Sequence, residues 1–149
     1  MAKTEVVDCD VLIIGGGMSG CGAAFEARHW GKDLKVVMVD KAGIERSGAV
    51  AQGLSAINTY LGLKWGDHTP EEFVKYVTGD MMGIAREDLV FDIARHVDSS
   101  VELFESWGLP IFKTPEGRYL REGPWQILIH GESYKPIVAE AAKTALGEG

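Results

Sequence analysis

The chain is short of cysteine and of long apolar or basic runs, and each shortage excludes a class of protein. Cys9 and Cys21 are its only cysteines in 149 residues, 12 positions apart and outside any C-x-x-C pair. Two thiols cannot build a disulfide framework, nor supply the four ligands of an iron–sulfur cluster. They suit small buried positions in a reducing compartment, which makes the cytoplasm the expected location and leaves no metal site expected. No stretch reaches the roughly 18 apolar residues of a membrane span. Glu5, Asp8 and Asp10 stand directly before the first apolar run, where a secretory signal would carry positive charge. An integral membrane protein is therefore not expected. The net charge is −7 with a pI near 5.1, and no basic run is present to neutralise the phosphates of nucleic acid.

What is present is ordinary in bulk and unusual in one place. Apolar content of 46% and charged content of 25% are those of a globular protein of about one domain's length. The unusual stretch runs from Cys9 to Gly20, CDVLIIGGGMSG. Val11 to Ile14 has the length of a fully buried strand and stops at three glycines. In the pattern G-x-G-x-x-G, Gly15 allows a tight turn and Gly17 lets backbone amides approach a pyrophosphate. Gly20 lets the next helix pack closely on the strand. A helix from Ser19 to Trp30 follows, rich in small residues, and its positive end would face the phosphate. A second strand, Lys35 to Asp40, ends in an acid 20 residues beyond Gly20, where a carboxylate accepts hydrogen bonds from ribose hydroxyls. Strand, glycine turn, helix, strand and acid together predict a Rossmann-like βαβ unit.

The remainder reads as helices, a loop and an arm. Gly43 to Gly62 is rich in Ser, Gly and Ala, as in a loop with a short helix lining a ligand site. Within it Arg46 can meet phosphate, and Ser47 and Gln52 can donate hydrogen bonds. Thr69, Pro70 and Glu72 form a helix start with a capping box, followed by an apolar stripe of Phe73, Tyr76, Val77 and Met81; Gly79 and Gly83 weaken that helix. A longer helix is expected from Arg86 to Trp107, with Leu89, Ile93, Val97, Val101 and Phe104 facing inward, His96 on packing or surface duty and Gly108 as its stop. Pro110 to Trp125 predicts a β-hairpin turning at Pro115 to Gly117. A last helix is expected from Ser133, as cap, to Leu146, burying Ile137, Val138, Ala141, Ala142 and Ala145. Two parallel strands do not complete a doubly wound sheet, so the chain reads as the N-terminal piece of a longer one.

With these residues placed, the chain resembles the flavoprotein subunits of the succinate dehydrogenase and fumarate reductase superfamily. The resemblance rests on the Gly15 to Gly20 turn, Asp40-Lys41, and the Ser47 to Gly53 loop ending Ala51-Gln52-Gly53. Thr78-Gly79-Asp80 and the segment Leu103 to Pro110 complete it. Two stretches, ERSGAVAQGLSAINTYLG and RYLREGPWQILIHGESYK, look most like the alpha-subunit family of dissimilatory adenylylsulfate (APS) reductases.

The resemblance implies an α/β fold class: an incomplete FAD-binding Rossmann-like βαβ with a helical insertion and a β-hairpin arm. Residues 1–149 would form the N-terminal part of an FAD-binding domain, its remainder, a capping domain and a C-terminal domain lying beyond. It implies FAD as cofactor, held by Gly15, Gly17, Ser19, Gly20, Asp40, Lys41, Arg46, Ser47, Gly48, Ala51, Gln52 and Gly53. Where the succinate and fumarate enzymes carry a flavin-bonding histidine, the matching residue is Ser47, so the FAD is expected to be non-covalent. The implied reaction is the two-electron reduction of adenylylsulfate to sulfite and AMP, or its reverse, through a flavin N5–sulfite adduct. Electrons would come from an iron–sulfur beta subunit with two [4Fe–4S] clusters. Asn58 is the leading substrate-contact residue, with Tyr76 and Glu122 beside it. Two other readings stay open: a fumarate reductase or L-aspartate oxidase relative with non-covalent FAD, and a nucleotide-binding module without redox chemistry.

Overall fold

The computed structural model describes residues 4–147, which divide into two compact units: one built from the chain up to Gly53 together with Glu132 onward, the other from Leu54 to Gly131. In the first, β1 (Val11–Ile14) and β2 (Val36–Val39) pair in parallel, Val11 opposite Val36 and Ile14 opposite Val39, with α1 (Met18–Trp30) as the crossover. This is the expected βαβ. The strands are less buried than the apolar runs suggest. Only Ile13 of β1 is buried, while Leu12 and Ile14 are 54% and 80% exposed, because α1 covers one face of the pair.

Cys21 and Ala24 on α1 are buried as their small size allows, and Cys9 is half-buried. Neither thiol is in a disulfide. The segment after β2 makes two short 3₁₀ turns, Ile44–Arg46 and Ala49–Gln52. The last helix, α4 (Gly131–Leu146), starts two residues before the expected cap, so Ser133 is inside the helix rather than capping it. Pro136 then falls beyond the first turn and leaves the carbonyl of exposed Glu132 without its helical donor. The buried side of α4 includes Tyr134, Lys135 and Ala139 as well as the expected Val138 and Ala142. Lys143 pairs with Glu45, and Arg28 of α1 donates to the carbonyl of Ala145 at 3.2 Å.

The second unit holds β3 (Ala56–Asn58), α2 (Pro70–Asp80), α3 (Glu87–Ser106), β4 (Arg121–Glu122) and β5 (Gln126–Leu128). The capping box of α2 is present: Thr69 Oγ1 accepts from Glu72 N, and Glu72 Oε2 accepts from Thr69 N. Gly79 stays inside α2, and the break comes at Met82 and Gly83, both with positive φ. The core gathers Leu61, Phe73 and Ala94, with Val77, Val90, Val97 and Trp125 against them.

The expected inner face of α3 holds at Val97 and Val101 and fails at its start: Leu89 and Ile93 are more than half exposed, and Val90, Ala94 and Asp98 join the inward positions. Asp98 faces inward because it serves the backbone. Its carboxylate accepts from the buried Leu61 N at 2.8 Å and from Leu63 N at 2.6 Å, satisfying two loop amides that no strand serves. His96 is exposed beside Asp92, as expected. The hairpin turns where expected, with Lys113 bridging Tyr119, but the pairing does not end at Trp125. A second turn returns the chain as β5, giving an antiparallel sheet of order β3-β5-β4. β3 lies within the stretch expected to be loop. Asp67 ties turn to sheet by accepting from Arg118 at 2.5 Å and Arg121 at 3.1 Å.

Candidate functional site

The glycine turn behaves as its spacing requires. Gly15 leaves β1 at φ +99°, a conformation open to glycine, and its N–H donates to Val39 O at 2.8 Å. A Cβ on Gly20 would collide with the Gly15 carbonyl, so this position is closed to any larger residue. Gly17 is the N-cap of α1. No side chain caps that helix and no acid occupies its first turn, so its leading N–H groups stay available. A Cβ on Gly48, itself at φ +82°, would come within 2.9 Å of Gly17 Cα. Two backbones thus meet at the helix start, with no side chain between them.

Around this turn lies an open cleft of about 600 Å³. Of the twelve expected cofactor residues, Gly15, Gly17, Asp40, Lys41, Arg46, Ser47 and Gly48 line it. Ser19 and Gly20 lie in α1, Ala51 and Gln52 in the second 3₁₀ turn, and Gly53 closes that turn at φ +84°; these five do not line the cleft. Ile14, Val39 and Ala42 do line it and were not anticipated. The signal for the first two was available, since the carboxyl ends of parallel strands border the crevice of such sheets.

Asp40 Oδ2 accepts from Gly16 N, and Oδ1 accepts from Ala42 N at 3.0 Å. The Gly16 bond first, then Ala42 and the Ser47 hydroxyl, hold its carboxyl below the usual value of 3.8. The Ser47 hydroxyl also stands 3.2 Å from Gly43 O, so its one proton serves either acceptor. An ionised carboxylate has about four acceptor positions, which leaves capacity for ribose hydroxyls. Uncapped amides, Lys41 and Arg46 favour a diphosphate, and Asp40 favours a ribose: the donor set fits the adenosine diphosphate half of a dinucleotide.

The substrate-contact candidates lie in the other unit. Asn58 of β3 pairs with Gln126 of β5, and Gln126 pairs with Glu122 of β4. Directly opposed residues point to one face of a sheet, so Asn58, Gln126 and Glu122 form a single polar rung. The next rung, Ile57 with Ile127, turns to the buried face. Gln126 was missed because β5 was missed. Thr59, next to Asn58, is β-branched yet has φ +79°, a strained conformation of the kind that clusters at functional positions. Tyr76 is not on this rung. It sits half-exposed on α2, its ring 5.4 Å from that of Trp125.

A family model described as the FAD binding domain matches residues 10–142. The chain belongs to that FAD-binding family. It is 52% identical over 163 aligned positions to the adenylylsulfate reductase subunit alpha of Megalodesulfovibrio gigas, covering 93% of this chain and 24% of that protein. A solved adenosine-5-phosphosulfate reductase, in complex with sulfite as a covalent adduct, matches with a TM-score of 0.91 and 69% identity, over 97% of this chain and 23% of the other. The 8-methylmenaquinol:fumarate reductase flavoprotein subunit of Wolinella succinogenes is 28% identical, over 76% of this chain and 18% of its own length. The chain thus spans about a quarter of the adenylylsulfate reductase subunit it matches. Among the described residues, no helix of this FAD-binding chain is long and apolar enough to cross a membrane.

Proposed function

We propose that this chain is part of the flavoprotein subunit of an adenylylsulfate reductase, both units belonging to one FAD-binding domain, and that it works in the cytoplasm. The reading is carried by the open, uncapped glycine turn facing Asp40, Lys41 and Arg46 in a chain that is 52% identical to such a subunit over the aligned positions. The twelve residues named above hold FAD, with the lining seven in contact and the others shaping the turn and loop. Ser47 has no ring nitrogen to bond a flavin, so the cofactor is held without a covalent link.

FAD, when bound, supplies two-electron transfer between sulfur and an electron carrier. The chain's own residues bind and orient. Amides of the glycine turn and the two cations neutralise the diphosphate, and Asp40 fixes the ribose. Asn58, with Glu122 and Gln126 on its rung, donates and accepts hydrogen bonds to the nucleotide half of adenylylsulfate, and Tyr76 adds a contact from α2. Two electrons break the bond between sulfur and the phosphate-bound oxygen, releasing sulfite and AMP; the reverse uses the same residues. The electrons come from an iron–sulfur beta subunit carrying two [4Fe–4S] clusters.

The test uses the full-length protein with its iron–sulfur partner. Sulfite should change the flavin spectrum, and addition of AMP should then pass electrons to an acceptor. A flavin indifferent to sulfite and reduced by succinate would move the protein to the dicarboxylate enzymes. Purification without any flavin absorbance would leave only a nucleotide-binding module.

A further inference from the structure

Among the described residues of the βαβ unit one lysine is buried, and it forms no direct ion pair. Lys135 of α4 is 1% exposed. Its Nζ donates to the Ile44 carbonyl and lies 3.5 Å from Cys21 Sγ, which in turn is 3.5 Å from Gly16 O. Among the described residues no Asp or Glu forms a direct ion pair with it; Glu45, ion-paired with Lys143, feels its charge at longer range. A buried charge whose nearby carboxylate is already engaged by another lysine is costly unless a further anion lies close.

Its two neighbours lead from it to the cleft. Ile44 opens the loop whose Arg46, Ser47 and Gly48 line the cleft, and Gly16 lies between the two cleft-lining glycines. Lys135 is therefore behind both walls of the cleft, touching each through one group. We propose that Lys135 is a positioning residue of the cofactor site: its buried charge holds the Ile44–Gly48 loop against the glycine turn and selects a diphosphate over a neutral nucleoside in the cleft. This rests on the reading that the cleft binds FAD. Because the charge is buried, salt screens it much less than it screens Lys41 or Arg46.

The apo form of the full-length protein is titrated by calorimetry with FAD, ADP and adenosine, at low and high salt. Lys135→Gln keeps a donor for the Ile44 carbonyl and removes the charge; Lys135→Met removes both. Both variants should lose about tenfold in ADP affinity, while Lys135→Gln leaves adenosine affinity unchanged. The ADP-to-adenosine ratio of Lys135→Gln should stay depressed at high salt. An equal loss for all three ligands would reduce Lys135 to a packing role and overturn the proposal, as would an unchanged ratio. Should Lys135→Met fail to fold, Lys135→Gln decides alone. Wild-type protein that binds neither FAD nor ADP would overturn the FAD reading itself, a result distinct from variants that bind like wild type.

Discussion

The two units treat their polar groups in opposite ways. In Leu54–Gly131 the loose ends are closed internally: Thr69 and Glu72 cap α2, Asp98 serves the amides of Leu61 and Leu63, and Asp67 takes two arginines. In the βαβ unit they are left open. α1 begins without a cap beside the cleft, and the buried Lys135 forms no direct ion pair among the described residues. An uncapped helix start beside a cleft is a ready anion site, so the open end marks where a ligand would complete the structure. One exception in the closed unit is the rung of Asn58, Gln126 and Glu122, beside the strained Thr59.

Three experiments would break or sharpen this contrast. The largest effect is expected from Gly20→Val, whose side chain would have to displace the Gly15 carbonyl. It should cost roughly 3 kcal/mol or more and abolish flavin retention, read from the flavin absorbance per chain and a thermal melt. Normal flavin content in that variant would contradict the close approach of α1 to β1. Asp98→Ala strikes the closed unit instead. The buried Leu61 amide and the partly buried Leu63 amide lose their acceptor, so stability should fall by about 1–3 kcal/mol while flavin stays bound at temperatures below the melt. Loss of flavin before unfolding would show that the two units are not separable in this way.

The smallest effect concerns pH. Asp40 has a folded pKa lowered by the Gly16 bond, so its contribution is full above the ordinary value of 3.8 and is lost as the pH falls from there through the lower folded value. Asp40→Asn should flatten the fall of melting temperature in that window. A variant with the same acid slope as wild type would remove Asp40 from the turn's support.

Much of the cofactor half was legible before any coordinates. Four local signals agreed on it: an apolar run of strand length, glycines at fixed offsets, a helix of small residues and an acid at the second strand's end. The capping box at Thr69 was equally legible, because capping is decided within four residues. The misses share a physical cause. The start of the α3 face was misjudged because Leu89 and Ile93 match the helical period of Val97 and Val101 as well as Val90 and Ala94 do. The choice was made by Asp98 reaching amides 35 and 37 residues away. β5 escaped notice because Gln126 to Leu128 is too short to show alternation, and it exists only as the partner of β3 and β4.

By itself, then, the sequence determined the βαβ turn and the chemistry it offers, since glycine's conformational freedom and the register of Asp40 are properties of short segments. Only the tertiary structure decided that Asn58, Gln126 and Glu122 share one rung, and that Lys135, 91 residues from Ile44, stands behind the cleft. Cross-strand register and the burial of a charge depend on residues far apart in the chain, and no local pattern encodes them.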